Sequence, residues 1–488
     1  MLLGIDIGTS NIKVGQYARD GSLLAHAKAV SPKGISEGYE NYLPDKLWQT
    51  AAGLIKEVTE ASQVSVEAVA VSSMGEAGLP LDENGEPTYP IIPWNDPRAE
   101  THMARLAERL EPEKWYAITG LYPNPIHSIA KWVWLKESHP EIWKKSRTWL
   151  SAMGFVRYKL TGEMFMERTQ AARTMAYDVC EGEWSSELLE LANIPPSFLP
   201  PLVTATDPAG QITQEAADLT GLKVSTPVFA GGHDHICASL ACGALTAEVA
   251  LDSLGTAEGL TFGLAETPNP GKAKGFGVGP HVIKGHSYYL GGIYSSGGSV
   301  AWVKELLGLE SFDALLELAS TADPGTSPLF LAHFYGEAPP FNDSKAKGAF
   351  LEVTPEHGPA HFARAVLEGI VFEIKRHIEA FETLQGKSSK VIRVIGSPAQ
   401  NPLWMDIRAS IFGRPLELSR HPDMVTLGTA LLAGIGASIY ASPQTAIDAT
   451  FQPGNLYKPN PAWQEIYAKS YINYKRTAEM LHQLRQRS

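Results

Sequence analysis

Two stretches of this chain follow one plan. LLGIDIGTSNIKVG near the start and VALDSLGTAEGLTFG near the middle each run an apolar strand into an aspartate, a Gly-Thr pair and a second apolar strand. A device repeated once, half a chain apart, marks a duplicated domain, because solenoids repeat every ~20–50 residues. The length agrees, since 488 residues exceed the roughly 250 to 300 at which one hydrophobic core stops growing. The repeat therefore predicts two related halves, 1–245 and 246–488, with a ligand held between them.

Each half carries α/β signals. Asp20-Gly21 between apolar runs predicts a hairpin. Leu47, Trp48, Ala51, Leu54, Ile55 and Val58 recur at helical spacing ahead of the strand VEAVAVSSM. PEIWKKSRTWLSAMGFVRYKL and SSELLELANI have helical patterns, and TPVFAGGHDHICASLACGALT predicts a buried strand, a Gly-rich turn and a helix of small residues. The second half continues with a helix at SVAWVKELLG, the loop HFYGEAPPFNDSKAKG, a long amphipathic helix from His361 to Gly386, the strand KVIRVIG and the turn SPAQNP. GFGVG at Gly275 to Gly279 has no helical pattern after it, so it is taken as a turn and not a dinucleotide fingerprint. Met424 to Ile447 is charge-free and long enough to span a bilayer. Its Gly, Thr and Ser residues dilute the apolar content, and the pattern predicts a closely packed buried helix.

A formal net charge of -12 argues against a nucleic-acid groove or an anionic membrane as partner. Cys180, Cys237 and Cys242 form no CxxC pair in a chain too large to need stapling, which fits a reduced cytoplasm. The N-terminus has no basic region and meets Asp6 early, unlike a secretion signal.

A Gly-Thr turn between strands can aim successive amides and a hydroxyl at a phosphate without needing lysine. Asp6, beside Gly8, Thr9 and Ser10, adds a carboxylate able to hold Mg2+ through water, and Lys13 can reach phosphate oxygens. Asp252, Gly255 and Thr256 repeat the theme. Either turn alone is more often an ordinary hairpin; two in corresponding places point to a nucleotide gripped between the halves.

In this order the motifs resemble the FGGY family of carbohydrate kinases, whose fold is α/β: duplicated actin-like (ribonuclease H-like) ATPase domains with the active site in the interdomain cleft. DIGTSNIK resembles the family's first phosphate loop, and LDSLGTAEG its second. SSMGEAG and IIPWNDPRAE are similar to sugar-contacting segments, GGHDHICASLACG to the segment with the catalytic aspartate, and IGSPAQNPLWMDIRASIFGRPLEL with TLGTALLAG to the nucleotide segment. The resemblance implies Asp234 as the base that receives the hydroxyl proton, with Glu76, Trp94, Asp234 and His235 against the sugar. Thr9, Ser10, Asn11 and Lys13 would lie by the transferred phosphoryl group and Asp6 near the metal. Gly255, Thr256, Gly297, Gly396, Gln400 and Asn401 would contact ATP. Cofactors would be ATP and Mg2+, the partner a small sugar, and a homodimer stays open.

Departures bear on the substrate. Ile126 stands where glycerol kinases carry a tyrosine, Ala338 follows Glu337 in place of the usual arginine, and Ile395-Gly396 replaces a Gly pair. The Met-Gly-Glu-Ala and His-Asp-His wording lies nearer the xylulokinase and gluconokinase side of the family. A ketose such as xylulose is the leading expectation, with gluconate or another sugar acid or polyol as alternative. An actin-like ATP-driven switch and a catalytically idle sugar-binding regulator are the non-kinase rivals. Read without the family, Glu76 is a solvated loop acid, Trp94 and Trp404 are core aromatics, and Cys237 and Cys242 are packing. A His233-Asp234-His235 metal site is disfavoured because alternate residues of a strand face opposite ways.

Overall fold

The computed structural model describes residues 1–486, and the repeated device occupies the same place in each of two sheets. In the first half β1 (Leu2–Ile7) runs antiparallel to β2 (Asn11–Tyr17), which pairs with β3 (Leu23–Val30) across the Asp20-Gly21 hairpin. On its other side β1 lies parallel to β4 (Ala68–Ser73), with β5 (Pro208–Gln211) and β6 (Pro227–His233) completing the order β5-β6-β4-β1-β2-β3.

The second sheet copies this plan. β7 (Val249–Leu254) pairs antiparallel with β8 (Glu258–Leu264), and the order is β9 (Gly277–Pro280), β10 (Ser287–Ile293), β8, β7, β11 (Val391–Ile395), β12 (Leu416–Ser419), β13 (Pro453–Tyr457). β7, β11 and β12 are parallel, as β1, β4 and β6 are. Parallel neighbours need crossovers, normally helices that bury both sheet faces. β1 and β4 are accordingly buried at every residue. The architecture is α/β, a duplicated actin-like fold.

The crossovers are α1 (Pro44–Ser62) and α2 (Ala152–Thr161), then α5 (Pro359–Gln385) and α6 (Pro402–Phe412); between those pairs come α3 (Asp234–Ala241) and α4 (Gly297–Leu306). The six α1 positions picked out by periodicity are all buried, and the chain leaves α1 through Gln63 in the left-handed region.

α7 (Met424–Gly436) follows β12 in sequence but packs on the first sheet. The Tyr17 hydroxyl lies 2.7 Å from Thr426 Oγ1, and Thr429 Oγ1 donates to Ser72 Oγ at 2.8 Å. Beside it runs α3, so close that a Cβ on Gly428 would collide with the Cys237 carbonyl. Leu2, Ala70, Ile236, Leu251, Leu427 and Leu431 share one core cluster, so the halves are joined through packed side chains. This is what the small residues of both helices are for. Each buried leucine contributes about 1.5–3 kcal/mol. No helix among the described residues is long and apolar enough to cross a membrane: α7 ends at Gly436, and the charge-free stretch resumes as α8 (Pro443–Thr450).

Two local expectations fail. PEIWKKSRTWLSAMGFVRYKL is not continuous helix, because Thr148–Ser151 forms a strand paired with Gly78–Leu81 between the helices Pro140–Lys145 and α2. Trp149 and Leu150 are buried there and Ser151 caps α2, so burial of an extended segment overrides the helical pattern. The glycines of GGHDH do not form a separate turn either. Gly231 and Gly232 belong to β6, at a register shift, and the chain passes directly from His233 into α3. Asp234 and His235 are thus helical, and the strand argument about their facing does not apply to them. GFGVG is a turn at Gly275 that enters strand β9.

Candidate active site

The first Gly-Thr turn is fixed by its carbonyls. Ser31 Oγ donates to Gly8 O at 2.6 Å, Tyr42 OH to Thr9 O at 3.0 Å and Ser31 N–H to Ser10 O at 3.0 Å. Antiparallel register sets Asp6 opposite Lys13, with Lys13 Nζ 3.7 Å from Asp6 Oδ2 and 2.9 Å from Asp423 Oδ2. Ser72 Oγ donates to Asp6 Oδ1 at 3.2 Å. Burial pushes the Asp6 carboxyl up to about 8; Lys13 opposes the shift, and the charges of Asp234 and Asp423 add to it. Burial works against the Lys13 ammonium, but Asp6, Asp423 and Asp234 outweigh it and hold the lysine charged.

Asp234 opens α3 about one-fifth exposed, with His233 Nε2 3.3 Å from its Oδ1. The same Oδ1 accepts the His235 N–H at 2.6 Å. Asp6 and Lys13 both feel the Asp234 charge, so the three side chains lie near one another.

Glu76 stands just past β4 in the left-handed region, φ 58°. It is a buried, tightly partnered acid, not a solvated one. Its carbonyl takes Ser128 Oγ at 3.1 Å and Lys131 Nζ at 3.0 Å, and Arg173 Nε donates to its Oε1 at 2.6 Å. Arg173 also engages Tyr288 of β10, which reaches across from the second half. Burial holds His127 and His233 neutral and brings Lys131 down to about 7. Trp94 Nε1 donates to Thr9 Oγ1 at 3.1 Å, joining the IIPWND segment to the first Gly-Thr turn. His235 is exposed and lies toward Gly259 of β8. The histidine beside Glu76 and Arg173 is His127, its Nδ1 3.9 Å from Glu76 Oε1 and 3.1 Å from Arg173 O, while His233 stands against Gly75.

The second turn meets the start of α4. Gly297 N–H donates to Gly255 O at 3.0 Å, while Ser296 and Gly298 N–H donate to Thr256 O at 2.9 and 3.0 Å. Gly396, φ 103°, presses so closely on Leu254 O that no side chain fits. Gly255, Thr256, Gly297 and Gly396 therefore line one place, and Gln400 is exposed at its edge. Asn401 has a structural duty, its Oδ1 capping α6 by accepting the Trp404 N–H at 3.0 Å. Trp404 itself is core, under the Arg408 guanidinium.

Asp252 does not repeat the role of Asp6. Arg408 Nη1 lies 2.8 Å from Asp252 Oδ2 and 2.8 Å from Glu258 Oε1, with all three side chains fully buried. Burial and the adjoining Glu258 push the Asp252 carboxyl up.

Sequence reasoning missed Asp423, Arg173, Lys131, His127 and His233. Only Asp423 left a signal, an aspartate ahead of an apolar helix, and it caps α7 by accepting the Val425 and Thr426 N–H groups at 3.0 Å. For a metal, Asp6, Asp234 and the Thr9 hydroxyl are hard oxygen donors of the kind Mg2+ takes. Burial raises the Asp6 carboxyl, and a dication beside it would favour the ionised form, so the residues fit the ion. Two other groups among the described residues could share an ion, His333–Glu337–Glu373 and Glu337–Asp343–His482. Guanidinium already lies there: Arg376 Nη1 is 3.1 Å from Glu337 and 2.7 Å from Glu373, and Arg485 Nε is 2.7 Å from Asp343.

Comparison with known proteins gives a consistent result. Residues 1–241 match the FGGY family of carbohydrate kinases, N-terminal domain, and residues 250–437 match its C-terminal domain. The chain is 31% identical over 501 aligned residues to a xylulose kinase of Lactococcus lactis subsp. lactis (strain IL1403), covering 99% of this chain and 98% of that protein. The crystal structure of a xyloylose kinase from Brucella ovis superposes with a TM-score of 0.90 at 25% identity, over 99% of both chains. That of a gluconate kinase from Lactobacillus acidophilus gives 0.89 at 23% identity over 98% of both, which speaks to the fold alone.

Proposed function

The chain belongs to the FGGY family of carbohydrate kinases, phosphotransferases with an alcohol group as acceptor, and from that premise we propose that it transfers the γ-phosphate of ATP to a hydroxyl of xylulose in the cytoplasm. The observation that carries the reading is the setting of Asp234, with the Asp6–Lys13 turn on one side and the Glu76–Arg173 pocket on the other.

Phosphoryl transfer passes through a loose transition state, so positioning and charge stabilisation do most of the work. Asp234 accepts the proton of the attacking hydroxyl as the O–P bond forms and the bond to ADP breaks. Lys13 and the Gly8-Thr9-Ser10 turn face the transferred group, while Gly255, Thr256, Gly297 and Gly396 hold the rest of the nucleotide. Mg2+, held by Asp6 with Asp234 and Thr9 near it, would neutralise charge on the phosphates. Trp94 ties the sugar segment to the phosphate turn. Every group in this reading comes from one chain, and the cytoplasmic setting is supported by three cysteines that stand free.

Charge favours a neutral ketose over a sugar acid. Arg173 is committed to Glu76, Lys131 to the Glu76 and Pro93 carbonyls, and His127 and His233 are held neutral. A carboxylate substrate would meet Glu76 and Asp234 without a free cation, and unpaired buried charge is costly. In a coupled ADP assay with MgATP, xylulose should exceed gluconate and glycerol in kcat/KM by about 100-fold or more. A preference for gluconate or glycerol would sink the assignment.

A further inference from the structure

We propose that His233 is a positioning residue for the base: its Nε2–H holds Asp234 Oδ1, so that Oδ2 is the oxygen presented to the sugar hydroxyl. This rests on the reading of Asp234 as base.

β6 shifts register between Phe229 and Gly232, with Gly231 in the left-handed region, φ 71°. A bulge of this kind re-aims the side chain that follows it. The next residue is His233, whose N–H donates to Thr169 Oγ1 at 2.8 Å; that hydroxyl is bonded in turn to Glu167. The backbone of His233 is therefore fixed from a second element. Its ring is 5% exposed and turned back onto the next residue in the chain, with Nε2 3.3 Å from Asp234 Oδ1. Glycine at position 75 eases the fit, because a Cβ there would stand 3.1 Å from His233 Nε2 and the ring would have to give by a few tenths of an ångström.

The donor must be Nε2, since a carboxylate oxygen can only accept. A neutral ring then has an unprotonated Nδ1, an atom that is buried without a protein partner. That leaves one buried acceptor unused, on the side of the ring away from Gly75. With Oδ1 accepting the His235 N–H and lying 3.3 Å from His233 Nε2, the carboxylate cannot rotate freely, and Oδ2 is the oxygen left to meet the substrate.

A core histidine that merely fills space would tolerate any replacement of similar size. A positioning histidine depends on which atom is replaced. Glutamine sets its amide nitrogen about where Nε2 stands, whereas asparagine sets its own near Nδ1. Kinetics with xylulose and ATP should show His233→Ala and His233→Asn lowering kcat about 10- to 100-fold, with KM for ATP unchanged. His233→Gln should recover to within a few-fold of the parent. Melting temperatures identify any variant that has not folded, and the Asn/Gln pair decides the matter if the alanine variant fails. Parental kcat in His233→Ala, equal behaviour of Asn and Gln, or a rise in KM for ATP matching the loss in kcat would each overturn the proposal. Asp234→Ala separates the two ideas. Turnover surviving in that variant removes the base, whereas an inactive Asp234→Ala beside unaffected His233 variants removes only the positioning role.

Discussion

Asp6 and Asp252 lie near the ends of corresponding strands in two copies of one sheet, two and three residues ahead of their Gly-Thr pairs, and their surroundings differ. Asp252 is closed in by Arg408 and Glu258, all fully buried, with Ser296 Oγ donating to Glu258 Oε2 at 2.6 Å. Asp6 has no arginine. Its cation is Lys13, 29% exposed and shared with Asp423. One copy has turned the aspartate into an ion cluster that holds β7, β8 and α6 together; the other buries it beside a partly exposed lysine. Duplication supplied two Gly-Thr turns, but only beside the first is an aspartate free of an arginine partner.

The sharpest way to break this comparison is to make one change twice. Asp6→Asn should lower kcat by about 1,000-fold or more, the equivalent of several kcal/mol of charge stabilisation. Asp252→Asn should leave kcat within a few-fold, because an amide oxygen still accepts from Arg408. Steady-state kinetics decide, and equal losses would show that both copies serve catalysis. The cations should behave in the opposite sense. Arg408→Met leaves two acids facing each other in the core, and urea denaturation should show a loss of about 3–5 kcal/mol. Lys13→Met should alter stability by less than about 1 kcal/mol while reducing kcat. A stable Arg408→Met protein would mean that Asp252 and Glu258 already share a proton without help.

These differences explain which parts were legible beforehand. The repeated strand, Asp and Gly-Thr lie in contiguous residues, so the duplication and the two turns could be seen, whereas Asp234 is singled out through the family resemblance. Arg408 lies 156 residues from Asp252, and nothing near either one announces the pair. Arg173 likewise reaches Glu76 from 97 residues away. Periodicity found α1 because one of its faces is polar. It missed the strand Thr148–Ser151, which is four residues long and lies between helices. The small-residue helices looked like close packing and are so, but that α7 docks on the other half's sheet depends on topology alone. His235 drew attention through the family resemblance, and a bulge invisible in the sequence gave the buried place to His233.

Gly396 provides a milder test on the second side. Its left-handed backbone and contact with Leu254 O exclude a Cβ, so Gly396→Ala should displace the neighbouring turn and raise KM for ATP about tenfold, with KM for xylulose nearly unchanged. A matching rise in both constants would mean that the two binding regions are coupled through this contact.

The smallest effect concerns how each turn is tied. In the second half the Thr256 carbonyl is held by the backbone amides of Ser296 and Gly298, a bond that survives side-chain substitution. In the first half side chains of Ser31, Tyr42 and Trp94 hold the turn, and Trp94 also belongs to the sugar segment. Trp94→Phe keeps an aromatic ring but removes the donor to Thr9 together with the five-membered half of the indole. A single hydrogen bond is worth about 0.5–1.5 kcal/mol, so kcat/KM for the sugar should fall roughly 2- to 12-fold. If Thr9 merely parks its hydroxyl on the indole, Thr9→Val, Trp94→Phe and the double variant will show additive losses. If the bond carries information between sugar and phosphate sites, the double variant will be no worse than the poorer single one.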